Sequence, residues 1–385
     1  MVRVLLISSV LPETLGMGGS LILQRYLFDT PGVACEVLPP PQRSLRSRLY
    51  RKLHRLGFGS LASDLECLNP VLPSPSSVDE IISRFKPDVV LTVAHGFLYR
   101  AALRTATRAG LPLVTLFQDW WPDSIPVSRL LRRSVERRFR QLCAASKVAI
   151  CVSEGMLAEL GSRPNCVVLH DSPSVICSPQ LKARDDGRFR IIYFGNLQEY
   201  GPMVEEAAKA CLETPNLRLH IFGPQPWWSP GTEGTFRTAG IYHGLVSQQR
   251  IHAEAATFDV GLVTMSFDVR LKRRMQTSFP SKLQEMAALH LPLVVWGPNY
   301  CSAIRWARSG TRALCVTDRN PAALIAAIRR LARSPSDLTR LQRASRTAAE
   351  TDFNPEQIRS RFVRLLENAR SAGKRDFDND PTLLG

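Results

Sequence analysis

A chain of 385 residues is longer than one hydrophobic core usually grows, so two domains are the expectation. Hydrophobic residues at 44% and charged residues at 22% suit two packed cores, and no run of 18 apolar residues offers a membrane span. Fifty Lys and Arg against 34 Asp and Glu leave a formal charge of +16, which favours an anionic partner without choosing among nucleic acid, acidic lipid and phosphorylated substrate.

Short β-branched apolar runs alternate with helical patterns along the chain. The predicted strands of the first half are residues 2–7, 34–38, 88–93, 113–117, 147–152 and 167–170. Those of the second half are 189–194, 217–222, 240–243, 260–263, 291–296 and 313–316. Apolar strands separated by helices imply parallel sheets covered on both faces. Two such series imply an α/β chain of two doubly wound, Rossmann-like domains. Pro, Ser and an Asp-Asp-Gly turn break the pattern over residues 172–187, which places the domains at 1–175 and 186–352. A helix over 353–370 follows, with Ile358, Phe362, Leu365 and Leu366 on one stripe, and residues 371–385 read as a frayed tail.

The nine cysteines are scattered, odd in number and without a Cys-x-x-Cys pair. They argue against a disulfide framework or zinc ribbon and fit a reducing compartment. The opening apolar run is too short for a signal peptide, so the chain reads as cytoplasmic. Residues 43–56 set Leu45, Leu49, Leu53 and Leu56 at helical spacing among Arg43, Arg46, Arg48, Arg51, Lys52 and Arg55. That is either a basic amphipathic helix for an anionic bilayer or a helix packed by its leucines on the first sheet. Residues 129–140 form a second basic patch, and Arg270 to Arg274 a shorter one.

Ligands of open α/β sheets bind beyond the carboxyl ends of the strands, so the polar residues of those loops are the candidates. Gly16, Gly18 and Gly19 follow the first strand and let backbone approach a ligand; without a full Gly-x-Gly-x-x-Gly a dinucleotide reading is weak. His95 follows the third strand, where an imidazole bonds a sugar hydroxyl, shuttles a proton, or serves only the backbone. Asp119, Trp120, Trp121 and Asp123 follow the fourth. Carboxylates take hydroxyl protons and indole faces cover sugar C–H surface, unless the indoles are buried loop anchors. In the second half Gly195 with Asn196, Gly223, and the run His243, Gly244 and Leu245 end successive predicted strands, the last with backbone placed to pair with the edge of a nucleobase.

Residues 278–297 are the most informative stretch. Ser281 reads as a helix N-cap with Gln284 at capping-box spacing. Unpaired amides and the macrodipole at such a start seat a phosphate, and Lys282 adds a positive charge. Glu285, placed in the first turn, can accept from a ribose or sugar hydroxyl.

In this order the pieces resemble family-4-type retaining glycosyltransferases with the GT-B fold. The likeness rests on Tyr193-Phe-Gly-Asn196, Ile221-Phe-Gly223, His243-Gly-Leu-Val246, Phe258-Asp-Val-Gly-Leu-Val263 and above all Phe279-Pro-Ser-Lys-Leu-Gln-Glu-Met-Ala-Ala288. The first half is similar more loosely, through Gln118-Asp119 and Val152-Ser-Glu-Gly-Met156. The resemblance implies two Rossmann-like domains facing a central cleft, with the last helix crossing back to the first domain. It implies transfer of a sugar from a nucleotide diphosphate with retained configuration and without metal or other cofactor. Glu285 then binds the ribose hydroxyls, and Ser281 binds the diphosphate with nearby amides such as those of Lys282 and Leu283. Gly18 and Gly19 approach it from the other domain, while His95 and Asp119 hold sugar and acceptor.

The sequence departs from the family pattern twice. Thr277 stands where the family has the first glutamate of Glu-x7-Glu, and Asn196 and Tyr200 stand in the neighbourhood of an Arg and a Lys. Lys282, with Arg274 or Lys272, is the expected replacement. The expected function is a glycosyltransferase acting on a glycan or lipid-linked acceptor in cell-surface polysaccharide synthesis, with peripheral attachment to the inner face of the plasma membrane left open. The alternative is a catalytically inactive nucleotide-sugar-binding protein. Nucleic acid is not an expected partner, because no aromatic–basic binding module is visible.

Overall fold

The computed structural model describes residues 1–13, 18–39, 45–173, 176 and 187–379. Gly16, Arg43, most of the expected interdomain join and residues 380–385 lie outside them. The chain divides into two units, Met1–His170 with Ile358–Gly385, and Asp171–Gln357.

In the first unit β1 (Val2–Leu6), β2 (Val33–Val37), β3 (Val89–Val93), β4 (Leu113–Phe117), β5 (Val148–Cys151) and β6 (Cys166–Val168) form a parallel sheet in the order β2-β1-β3-β4-β5-β6. β3 and β4 are buried at every position, as strands covered on both faces must be. Successive side chains alternate between two core layers. Leu5, Val90 and Phe117 point into one, and Val4, Leu6, Leu91 and Leu116 into the other. The last helix (Pro355–Asn379) completes the second layer with Ile358, Phe362 and Leu366, Phe362 stacking on Tyr26 at 4.5 Å. That helix runs nine residues past 370, where a frayed tail was expected. Once nucleated on the core, a helix extends one hydrogen bond per residue through a sequence with no proline to stop it.

In the second unit β7 (Phe189–Phe194), β8 (Leu217–Phe222), β9 (Val260–Thr264), β10 (Leu293–Trp296) and β11 (Leu314–Val316) are parallel in the order β11-β10-β9-β7-β8. Residues 240–243, expected as a strand, make only an isolated bridge between Tyr242 and Ile221. Gly240 and Gly244, at φ +69° and +71°, turn the backbone on either side of three residues and leave no room for a ladder. Each sheet reverses its winding once, between β1 and β3 in the first unit and between β7 and β9 in the second. These are the switch points at which such sheets bind ligands.

Candidate functional site

At the switch point of the second unit three strand-end segments interlock. Gly195 ends β7 at φ +145°, a conformation that L side chains rarely adopt, and a Cβ there would lie 3.1 Å from Cγ of Lys282. A Cβ on Gly223, at the end of β8, would lie 2.3 Å from the Gly195 carbonyl oxygen. Two missing side chains thus allow β7, β8 and the start of the helix Ser281–Ala288 to touch. Lys282 runs along Gly195 and holds its ammonium 5.4 Å from the centre of the Phe194 ring.

The helix start differs in detail from the sequence expectation. Pro280 occupies the N-cap (φ −73°, ψ 112°), and Ser281 is the first helical residue. Proline suits the extended backbone of the cap but brings no side-chain acceptor, so no capping box forms. Gln284 is buried instead, its Nε2 without a hydrogen-bond partner. The amide of Leu283 donates to the Pro280 carbonyl at 3.0 Å, which removes it from the set available to a phosphate. Glu285 is the fifth helical residue rather than a first-turn residue, and it is only 4% exposed. The helix start therefore presents Ser281 and Lys282, with Glu285 one turn deeper.

The two departures from the family pattern have structural accounts. Thr277 is fully buried, and its hydroxyl donates to the Arg273 carbonyl at 2.9 Å, a backbone role that no carboxylate could fill. The Asn196 side chain accepts from the Gln198 amide at 2.7 Å, and its carbonyl accepts from the Tyr193 hydroxyl at 2.7 Å. Of the expected replacement cations, Arg274 is ion-paired with Glu199, so its charge is balanced within the protein. Lys272 lies over Tyr300 at 5.4 Å.

His243 and Gly244 adjoin this ring. The Gly223 amide donates to the Gly244 carbonyl at 2.9 Å, and the Tyr242 hydroxyl donates to the Gly223 carbonyl at 2.9 Å. The His243 ring stacks on Phe222 at 4.5 Å, and its Nε2 lies 3.0 Å from Nδ1 of His220. Burial, then the neighbouring His243 and Arg190, push the His220 imidazole down to about 4; burial also lowers His243. Leu245 beside them is exposed. His220 and Glu199 are site neighbours that sequence reading misses. A signal for His220 existed: it lies two residues before Phe222 on one strand, hence on the same face.

In the first unit the ends of β1, β3 and β4 also meet. Gly18 (φ +57°) is the N-cap of the helix Gly19–Leu27, and a Cβ on Gly19 would lie 2.7 Å from Oε1 of Gln118. Gly96, at φ +68°, sits against Ser9, whose hydroxyl accepts from the Leu98 amide at 3.3 Å. His95 beside it is exposed, its ring 6.1 Å from that of Trp121. Asp119 is half-buried, and its carbonyl accepts from the Trp121 amide at 2.8 Å. The two indoles do not serve a sugar. Trp121 packs edge-on against Phe97 at 5.1 Å, and Trp120 against Phe139 at 4.9 Å with the Arg140 guanidinium 4.8 Å from its ring centre. Both are buried loop anchors, because only core packing satisfies so much apolar surface. Ser153 caps the helix Glu154–Glu159 by accepting from the Met156 amide at 3.0 Å.

The fold agrees with that of HepE from Anabaena, solved with UDP-glucose: TM-score 0.61 at 12% identity, covering 96% of this chain and 100% of that one. Residues 32–169, from the edge of β2 to just past β6, match the model of Glycosyltransferase Family 4. The chain has the GT-B fold, and its first unit is similar to Glycosyltransferase Family 4. The same GT-B architecture relates it to the pneumococcal O-GlcNAc transferase GtfA, in complex with UDP and GlcNAc, at TM-score 0.55 and 14% identity over 77% of this chain and 60% of that one. It relates it equally to the N-terminal domain of trehalose-6-phosphate phosphatase from Candida albicans, at TM-score 0.60 and 10% identity over 95% and 96%. No curated protein matches the sequence. At such identities the structural likeness is one of fold.

Proposed function

We propose that the protein transfers a sugar from a nucleotide-diphosphate donor to a glycan or lipid-linked acceptor, with retention, in the synthesis of a cell-surface polysaccharide. The observation that carries this is the packing of Lys282, on the first turn of the helix Ser281–Ala288, against the bare Gly195 backbone at the switch point. A leaving diphosphate gathers negative charge, and a cation fixed beside a helix start stabilises that charge without reorganising. Ser281 and the Lys282 ammonium would take the diphosphate oxygens, Glu285 the ribose hydroxyls, and the backbone of Gly244 and Leu245 the base. His95 and Asp119 of the first unit would hold the sugar and the acceptor hydroxyl. Retention follows from front-face attack, in which the departing phosphate oxygen takes the acceptor proton, so no protein nucleophile is required. The charge is met by side chains and helix dipole, and activity should persist in chelator. HepE and GtfA, both solved with UDP, support the donor class.

One observation favours the silent-binder reading. Thr277 replaces a carboxylate, and Arg274 is already paired with Glu199. Incubation of the purified protein with a panel of nucleotide-diphosphate sugars decides between the two. Hydrolysis or transfer supports an enzyme, whereas binding with neither supports the silent reading. Lys282→Ala should lower kcat/KM for the donor about a hundredfold; unchanged turnover would remove Lys282 from the mechanism.

A further inference from the structure

The two basic segments, distant in sequence, belong to helices of the first unit that pack on a shared third helix. The helix Leu45–Arg55 and the helix Gly59–Leu68 lie side by side. The Tyr50 hydroxyl donates to the carbonyls of Leu65 and Asn69, and Arg46 donates to Oδ1 of Asn69 at 3.0 Å. The start of the helix Arg129–Ala145 is fastened to the second of these, because the Ser128 amide donates to Oδ1 of Asp64 at 2.8 Å.

Apolar side chains stand out on this assembly rather than turning in. Tyr50 is the one buried residue of the helix Leu45–Arg55. Leu45 is 82% exposed, Leu130 is 90% exposed, and Leu49, Leu56, Phe58 and Leu61 are each about half exposed or more. Isolated exposed leucines are ordinary, but several on one joined surface mark an interaction site. Leu45 and Leu49, at i and i+4, lie on one side of their helix, and Leu56 follows its last residue. The charges around them are also unspent: among the described residues Arg48, Arg51, Lys52, Arg55, Arg129 and Arg133 make no ion pair. The helix Leu45–Arg55 contains no acid, and Asp64 and Glu66 of its neighbour are half-buried.

We infer that these three helices form one docking face for an anionic bilayer surface, with the leucines and Phe58 entering the acyl boundary and the cations meeting lipid phosphates. Exposed leucines ringed by unpaired cations match a bilayer, which offers apolar depth beneath a negative surface. A nucleic acid offers charge with no place for leucines. The face deepens the lipid-linked-acceptor reading, since it would bring the enzyme to such an acceptor. It is tested without donor or acceptor, so its failure and the failure of sugar transfer are separate results.

The test is cosedimentation of the full chain with phosphatidylglycerol-containing or pure phosphatidylcholine vesicles at low and high salt. Binding to anionic vesicles that weakens with salt is expected. The double variant Arg51→Ser, Lys52→Ser should weaken it about thirtyfold, and Leu49→Ser with Phe58→Ser should abolish the part that survives high salt. Melting curves of these exposed-site variants should match wild type. Equal binding to neutral vesicles, no binding, unchanged binding by the well-folded variants, or tighter binding to duplex DNA than to anionic vesicles would each overturn the inference.

Discussion

His220 and His243 show how far single residues decide behaviour here. With 3.0 Å between Nδ1 of one and Nε2 of the other, one ring donates and the other accepts, so a second proton breaks the bond. Arg190, Arg218 and Arg250 oppose protonation of the pair, and Glu254 alone favours it. The folded state therefore holds His220 neutral down to about pH 4, while the unfolded chain takes up a proton near pH 6.5. Between those values the unfolded state binds more protons, so stability is fully present above pH 6.5 and is lost as pH falls toward 4. Urea unfolding at pH 7 and pH 5 should show this loss, reduced in His220→Phe; equal slopes in the two proteins would contradict the assignment. Because His243 borders the proposed base site, the same variant should raise donor KM more than it lowers kcat. Glu285 makes the complementary case. Glu285→Gln keeps the shape and removes the charge, and should weaken nucleotide binding about tenfold to a hundredfold by calorimetry.

The elements around the site are held by absent side chains as much as by present ones. Gly223→Ala would set a methyl 2.3 Å from the Gly195 carbonyl oxygen, so backbone must move against backbone. A loss of about 1–3 kcal/mol is expected from chemical denaturation, with displacement of Lys282 and weaker donor binding. Gly234→Ala, with open space around it on the helix Thr232–Thr238, should be neutral or stabilising by about 0.5–1 kcal/mol. If both variants behaved alike, the interlocked strand ends would not be the cause. Much of this architecture is legible in the sequence. Eleven of its twelve apolar runs need only period and length to be read as parallel strands, and the stripe through Ile358, Phe362 and Leu366 marks the last helix. The exception, 240–243, failed because apolar character does not reveal the glycine turns that confine it. The cap was misread because Ser281 and Pro280 both suit a helix start, and only the backbone angles separate cap from first turn. Whether Trp120 and Trp121 faced core or ligand depended on what the loop packs against, and partners such as His220 depend on sheet register; neither is a local property of sequence.

For the molecule as a whole, two units and a strong positive charge divide the work. The second unit carries the proposed nucleotide seat, and the first carries the family-4 match and the basic apolar face. A ligand bound only by the folded chain raises stability by mass action, by about 2.7 kcal/mol at a hundred times its Kd. The most direct measurement is therefore calorimetric titration of nucleoside diphosphates, UDP first, into the wild-type chain and Lys282→Ala, with melting curves recorded alongside. The account predicts saturable one-site binding that raises the melting temperature of the wild type and is weakened at least about tenfold in the variant. Absence of binding across the panel, or equal affinity in both proteins, would contradict a diphosphate seat at the Ser281 helix start.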